Sequence, residues 1–357
     1  MKYLILPSLL LALATSASAA FHVEPIKATH PNGSEYRFPL LTDKNEAAAN
    51  INTWLQAVSL QKLPGRYGKS AFEDIWPEGD DGWQGVTSMD FQLVSDEPGY
   101  LSMDIAYEYM SAYPSQHTTT YNFDAHTGQP IQLRDLFTPD GQQWLRLQAS
   151  QARVKRIEGF LTGNLPEKDL RLRSDPEEAQ EQKHIYENCL PYVRDDDLSY
   201  NDLVLGKDAL TLVRELCAPH VVQALDDLGE YSNSWKYTEL TRYLSDYGRC
   251  LLVEKHTDCA PDPARLSAGV SRGKLDGRYP IILVLENENS DGTVSGAYFY
   301  EKYARYISLS GKRDAQGNLV LREAGPPPAL FSLTPSASGL SGTWQQEGQK
   351  SLPIDLH

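Results

Sequence analysis

Three short strings carry the residue types of a serine acyl-transfer site. Ser59-Leu60-Gln61-Lys62 fits S-x-x-K, Ser199-Tyr200-Asn201 fits S-x-N, and His126-Thr127-Gly128 is a variant of K-T-G. In that chemistry a lysine one helical turn from the serine activates it, and a cationic strand fixes the substrate carboxylate. The third string must then come last, on a strand after the second. Here it comes earlier and inside a tight turn, which argues against a nucleophilic serine. His30, His117, His126, His184 and His220 include no H-E-x-x-H or H-x-H spacing, so they read as surface or turn residues, not metal ligands. Asp124 and Asp135 are the carboxylate pair to weigh for glycoside hydrolysis. Both read better as structural, Asp124 bonding backbone N–H groups of a turn and Asp135 capping the turn at Leu136-Phe137. No catalytic residue, cofactor site or metal site is assigned.

Cys189, Cys217, Cys250 and Cys259 form an even set, for which three pairings are open. Tight C-x-x-C or Cys/His spacing is absent, so disulfides are expected in place of zinc. Pairing Cys189 with Cys217 and Cys250 with Cys259 is favoured, because each bond closes a local loop of roughly 10 to 30 residues, worth about 2–4 kcal/mol. The compartment agrees. Met1-Lys2, the apolar run Tyr3 to Leu13 and Ala17-Ser18-Ala19 read as a secretory signal peptide over 1–19, too short to span a bilayer. No cysteine follows the cleavage site and no later segment approaches a membrane span. The expectation is an exported, soluble protein of a bacterial periplasm, cleaved near Ala19.

Lys and Arg number 33 against 48 Asp and Glu, a net charge of −15; removing Lys2 makes it −16. Such acidity disfavours nucleic acid and anionic membranes, where cationic patches supply the affinity, and suits a cationic partner.

The elements that would position these residues follow from periodicity. Tyr36, Phe38 and Leu40 alternate as in a strand. Asp43 with Glu46 reads as a capping box opening a helix whose Ile51, Trp54, Leu55 and Val58 share one face. Leu63 to Gly85, with Trp76 and Trp83, reads as an insertion loop. Met89 to Val94 is a strand. Leu101, Met103, Ile105, Tyr107 and Tyr109 alternate with polar or small residues, the clearest half-buried strand in the chain. A loop over Met110 to His117 then leads to a hairpin at Tyr121 to Leu133, turning at Asp124 and Thr127-Gly128, followed by a short helical turn. A helix to about Leu161 presents Leu147, Val154, Ile157 and Leu161, and Pro166 to Lys183 reads as a charged, irregular segment. Leu203 to Val213 gives one or two strands, with Cys217 near a strand end.

Two strings in this region resemble a known family. Asn122 to Phe137 reads N-F-D-x-x-T-G-x-x-I-x-L-x-D-L-F, and Tyr237 to Leu244 reads Y-x-E-L-x-x-Y-L. Both resemble the RsiV-type extracytoplasmic domain, found at the C-terminus of an anti-sigma factor and beside the catalytic domain of a peptidoglycan deacetylase. Ala49-Asn50-Ile51-Asn52 is similar to that family's early helix, and the likeness extends over roughly residues 25 to 250. The loop Met110 to His117 departs from the family's Gly-rich segment and keeps only its histidine. The resemblance implies binding of lysozyme or a role at the cell wall. The deacetylase chemistry belongs to a different domain with its own Asp/His metal motif, and is not carried over.

Beyond Asp258 to Lys274, read as a linker, the composition changes to short apolar strands between turns: Tyr279 to Leu285, Val294 to Tyr300, Arg305 to Leu309, Leu319 to Arg322, Leu330 to Leu333, Leu340 to Trp344 and Leu352 to Leu356. That spacing implies an antiparallel meander closed into a small barrel or sandwich. The expected protein is therefore α+β: an antiparallel sheet with covering helices over 21–257, the linker, and a β-barrel over 275–357. Its leading function is periplasmic binding, not enzymatic and without cofactor. The partner would be a cationic protein such as lysozyme, or cell-wall material, with Tyr107, Tyr109, Tyr113 and His117 as the candidate contact residues. Tyr298, Tyr300, Tyr303 and Tyr306 could line a second surface. The competing expectations are an envelope glycan or peptidoglycan hydrolase, marked by a cleft with perturbed carboxylates, and a hollow ligand-holding barrel.

Overall fold

The computed structural model describes residues 21–357 except 78–83, 112, 168–169, 196, 262–267, 287, 290 and 337–338. The expected signal peptide and Trp83 lie outside the described residues. The fold is α+β, with two open sheets, covering helices and a closed barrel of eight antiparallel strands.

The first sheet runs in chain order: β1 (Val23–Thr29), β2 (Glu35–Leu41), β3 (Gly85–Glu97), β4 (Tyr100–Met110) and β5 (Pro114–Asp124). It is antiparallel, except that β2 and β3 run parallel through the pair Tyr36 and Met89. Strand β5 begins at Pro114, so most of the expected loop Met110 to His117 is strand, paired in register with β4. Neither Pro nor the polar run Ser115 to Thr120 signals a strand, but an edge position tolerates both.

Helix α1 (Glu46–Leu60) crosses the inner face of this sheet. Its cap is Asn45, whose Oδ1 accepts the Ala48 N–H at 2.8 Å. Asp43, expected in that role, instead receives the His22 N–H at 2.7 Å. Past Asp124 the chain folds back through a single bridge, Phe123 with Pro130, into α2 (Leu133–Leu136). Helix α3 (Pro139–Leu161) buries Leu145, Ala149, Arg153, Ile157 and Phe160. The expected face was displaced: Leu147 is 44% exposed, because Arg153 occupies a place in the buried stripe and donates to Asn233 at 2.9 Å. Helix α4 (Pro176–Arg194) takes up half of the segment expected to be irregular, capped by Asp175.

The second sheet joins β6 (Asn201–Leu205), β7 (Ala209–Arg214) and β8 (Tyr231–Lys236). Two short helices, α5 (Tyr237–Leu240) and α6 (Asp246–Arg249), close this part. The disulfides are Cys189–Cys217, tying α4 to the chain after β7, and Cys250–Cys259. No helix among the described residues is long and apolar enough to cross a membrane.

The barrel closes in the order β9 (Gly269–Leu275), β10 (Tyr279–Leu285), β11 (Thr293–Tyr300), β12 (Ile307–Arg313), β13 (Leu319–Glu323), β14 (Ala329–Ser336), β15 (Gly339–Gln346) and β16 (Leu352–Leu356), β16 pairing back to β9. Strand β9 falls in the segment read as linker. Its sequence G-V-S-R-G-K-L is poor in apolar residues, and Gly273 is needed where a Cβ would lie 1.9 Å from the Asp355 carbonyl. Ile281, Leu283, Leu319, Leu321, Phe331, Leu333 and Ile354 pack together as one buried apolar cluster in the interior. The run Ile281-Ile282-Leu283-Val284-Leu285 is continuously apolar because its two faces have different partners. Ile281, Leu283 and Leu285 belong to the barrel interior, whereas Val284, with Val270, Ala297 and Phe299, joins the core that holds α1. Helix α1 is thus covered on one side by the sheet and on the other by the barrel wall.

Candidate functional site

The four residues expected to contact a partner lie at the free end of the β4–β5 hairpin. Tyr107 pairs with His117 in register, and their rings stack at 5.4 Å. His117 Nε2 is 3.1 Å from Ser115 Oγ. Tyr107 packs against the core around α1; burial pushes its phenol up, with Glu215 adding to the shift. Tyr109 is 39% exposed and Tyr113 62%, so the hairpin end presents two aromatic side chains to solvent.

Next to them, the edges of the two open sheets face each other. Asn122, itself buried, spans the gap as a peptide group would: its Nδ2 donates to the Leu203 carbonyl at 2.6 Å and its Oδ1 accepts the Leu205 N–H at 3.3 Å. Nearby, the Thr120 hydroxyl donates to Asp104 Oδ1 at 2.7 Å, and Gln92 Nε2 donates to Asp104 Oδ2 at 2.9 Å. Across the seam, burial pushes the Asp202 carboxyl up to about 6, repulsion from Glu215, Asp104 and Glu230 adds to this, and the Thr120 N–H opposes it. Carboxylates gathered in this way favour a cation, which lowers the cost of ionising each of them.

A cavity of about 480 Å³ opens beside the seam. One wall is Thr119 to Phe123 of β5, another is Asp197 to Ser199 with Asn201 to Leu203, and a third is Pro130 to Arg134 with Glu288 and Asn289 of the barrel segment. Trp54 reaches its floor, edge-on to Tyr121 at 5.3 Å. Burial pushes the Tyr121 phenol up to about 12, and Ser59 hydrogen-bonds it. Arg134 and Arg313 both pair with Glu288, each at 2.9 Å. Asn201 Nδ2 donates to the Asp197 carbonyl at 3.2 Å, while its buried Oδ1 has no donor among the described residues.

Other residues singled out by type are dispersed. Ser59 serves Tyr121, while Lys62 is held by Glu73 at 2.8 Å and Asp74 at 2.7 Å, with the Lys62 ammonium drawing the Glu73 carboxyl down to about 2. Asp124 Oδ1 accepts the N–H groups of His126 and Thr127, at 2.9 and 2.8 Å, and its Oδ2 accepts the Tyr247 hydroxyl at 2.7 Å. Asp135 accepts the Gln132 N–H at 2.8 Å in a capping box. His30 lies against Trp76, and His184 near Asn188. Among the described residues no three His, Cys, Asp or Glu side chains converge as metal ligands.

Asp202 and Asn122 were not singled out from sequence, although Asn201 lay in the S-x-N string and Asn122 in the hairpin string. Asp202 follows the acidic run Asp195-Asp196-Asp197 and opens a strand, a weak signal without a pairing partner in sequence.

No family model matches the chain, and no curated protein matches its sequence. Among solved structures, the chain is similar to a crystal structure of a DUF3298 family member from Bacteroides fragilis, with a TM-score of 0.40 and 14% identity, covering 65% of this chain and 96% of that chain.

Proposed function

We propose that this protein is an extracytoplasmic binding protein that docks a cationic protein partner on the hairpin end formed by Tyr107, Tyr109, Tyr113 and His117. The observation that carries the reading is two solvent-facing tyrosines, Tyr109 and Tyr113, at the end of a hairpin whose two strands carry the carboxylates Asp104 and Glu108 and no lysine or arginine. Tyrosine supplies contact area at small entropic cost, and the carboxylates steer a basic protein to it. The two disulfides belong to an oxidising compartment, and a periplasmic setting fits them. The sequence resemblance to RsiV-type domains selects lysozyme as the partner to try.

Calorimetric titration with c-type lysozyme at moderate salt tests this. Saturable one-to-one binding is expected, with slowed lysis of cell walls and a loss of about tenfold or more in affinity for Tyr109→Ala with Tyr113→Ala. Absence of binding at micromolar concentration, or binding indifferent to both substitutions, overturns it.

A second reading, hydrolysis of an envelope glycan, draws on the Asp202 carboxyl held near 6 beside a cavity. Release of reducing ends from peptidoglycan by the native chain but not by Asp202→Asn tests it.

A further inference from the structure

We propose that the cavity beside the β5–β6 seam binds a small hydroxylated ammonium compound, of which an amino sugar is the simplest case. This site is separate from the hairpin end and does not depend on a protein docking there.

The first support is an acceptor that lacks a donor. Asn201 Nδ2 is committed to the Asp197 carbonyl, which fixes the amide so that Oδ1 turns the other way, buried and without a donor among the described residues. A buried acceptor in that state costs free energy that a ligand N–H or O–H recovers. The second support is charge. Asp202 shares the cavity wall with Asn201, and Asp104, Glu215 and Glu230 add negative potential around it, which a bound ammonium offsets. On the facing wall Arg134 and Arg313 share the single carboxylate of Glu288, so a bound ammonium is directed away from that wall, toward Asp202.

The remaining surface suits a polyol. Tyr121, packed edge-on against the buried Trp54, offers an aromatic ring to the apolar face of a sugar, and Thr119, Ser199 and Gln132 offer hydroxyl and amide groups along the sides. A volume of about 480 Å³ admits a ring with its substituents.

Calorimetric titration of the oxidised mature chain with glucosamine, glucose and N-acetylglucosamine near neutral pH tests the proposal. Saturable binding of glucosamine at one site is expected, about tenfold tighter than either neutral sugar. Asp202→Asn is expected to weaken glucosamine about tenfold while leaving glucose unchanged, and Asn201→Asp to retain or tighten glucosamine. Near-ultraviolet circular dichroism identical to that of the native chain shows that each variant is folded. Failure of glucosamine to saturate at about 50 mM, no preference over glucose, or indifference to Asp202→Asn overturns the proposal.

Discussion

The indole Nε1 of Trp54 donates to the carbonyl of Leu285 at 2.8 Å, linking the middle of α1 to the end of a barrel strand 231 residues away in the chain. Around it, Gln129 exchanges two hydrogen bonds with the backbone of Val270, at 2.9 and 3.1 Å, and Arg272 donates to Asn50 and Thr53. The barrel wall is thus part of the core that α1 requires.

Removing the barrel should therefore unfold the rest. A chain ending at residue 257 exposes the apolar face of α1 that Val270, Val284, Ala297 and Phe299 cover. It is expected to lack a cooperative thermal transition and to bind hydrophobic dyes, whereas Trp54→Phe in the full chain should lower stability by only about 1–2 kcal/mol. A sharp transition in the truncated chain contradicts this account.

The Asp202 carboxyl predicts an unusual pH dependence. Its folded value of about 6 lies above the ordinary 3.8, so between those values the native state holds a proton that the unfolded state releases. The contribution of this group to stability is present at low pH and is lost as pH rises through about 6. Melting temperatures measured from pH 4 to 8 should show this loss in the native chain, and Asp202→Asn should be the more stable protein at pH 7. Parallel curves for the two proteins refute the assignment.

Gly128 and Gly163 separate conformational from steric cost. Both have positive φ, +70° and +69°. A Cβ on Gly128 would lie 2.2 Å from the Ala47 carbonyl, but one on Gly163 meets nothing within 4 Å. Gly163→Ala should cost about 1 kcal/mol, and Gly128→Ala several times that, read from denaturant midpoints.

The two disulfides differ in span, closing 28 and 9 residues. Loop-closure entropy makes Cys189–Cys217 worth about 3–4 kcal/mol and Cys250–Cys259 about 2–3 kcal/mol. Paired Cys→Ser variants, compared by urea denaturation, should rank in that order.

The barrel was largely legible because its strands are separated by turns with little ambiguity, such as Asn289 to Gly292 and Asp314 to Asn318, and seven of its eight strands announce themselves. Strand β9 did not, since closure by Gly273 selects against side chains. The alternation from Leu101 to Tyr109 likewise fixed β4. Asn45 and Asp43 illustrate the opposite case, two capping residues two positions apart between which only the position of His22 decides. The seam was illegible for a similar reason: Asn122, Thr120 and Asp202 act through partners about 80 residues distant in the chain, and no local period records such a meeting.

The side-chain bridge at Asn122 also bears on self-association. An uncovered strand edge is a template for other chains. Because β5 and β6 turn their edges toward each other, each shields the other, and the barrel has none to offer. The outer strand β1 carries Pro25, which lacks a donor, and Lys27, which repels a second copy. Edge-to-edge addition of a second copy is thereby disfavoured at β1, β5 and β6.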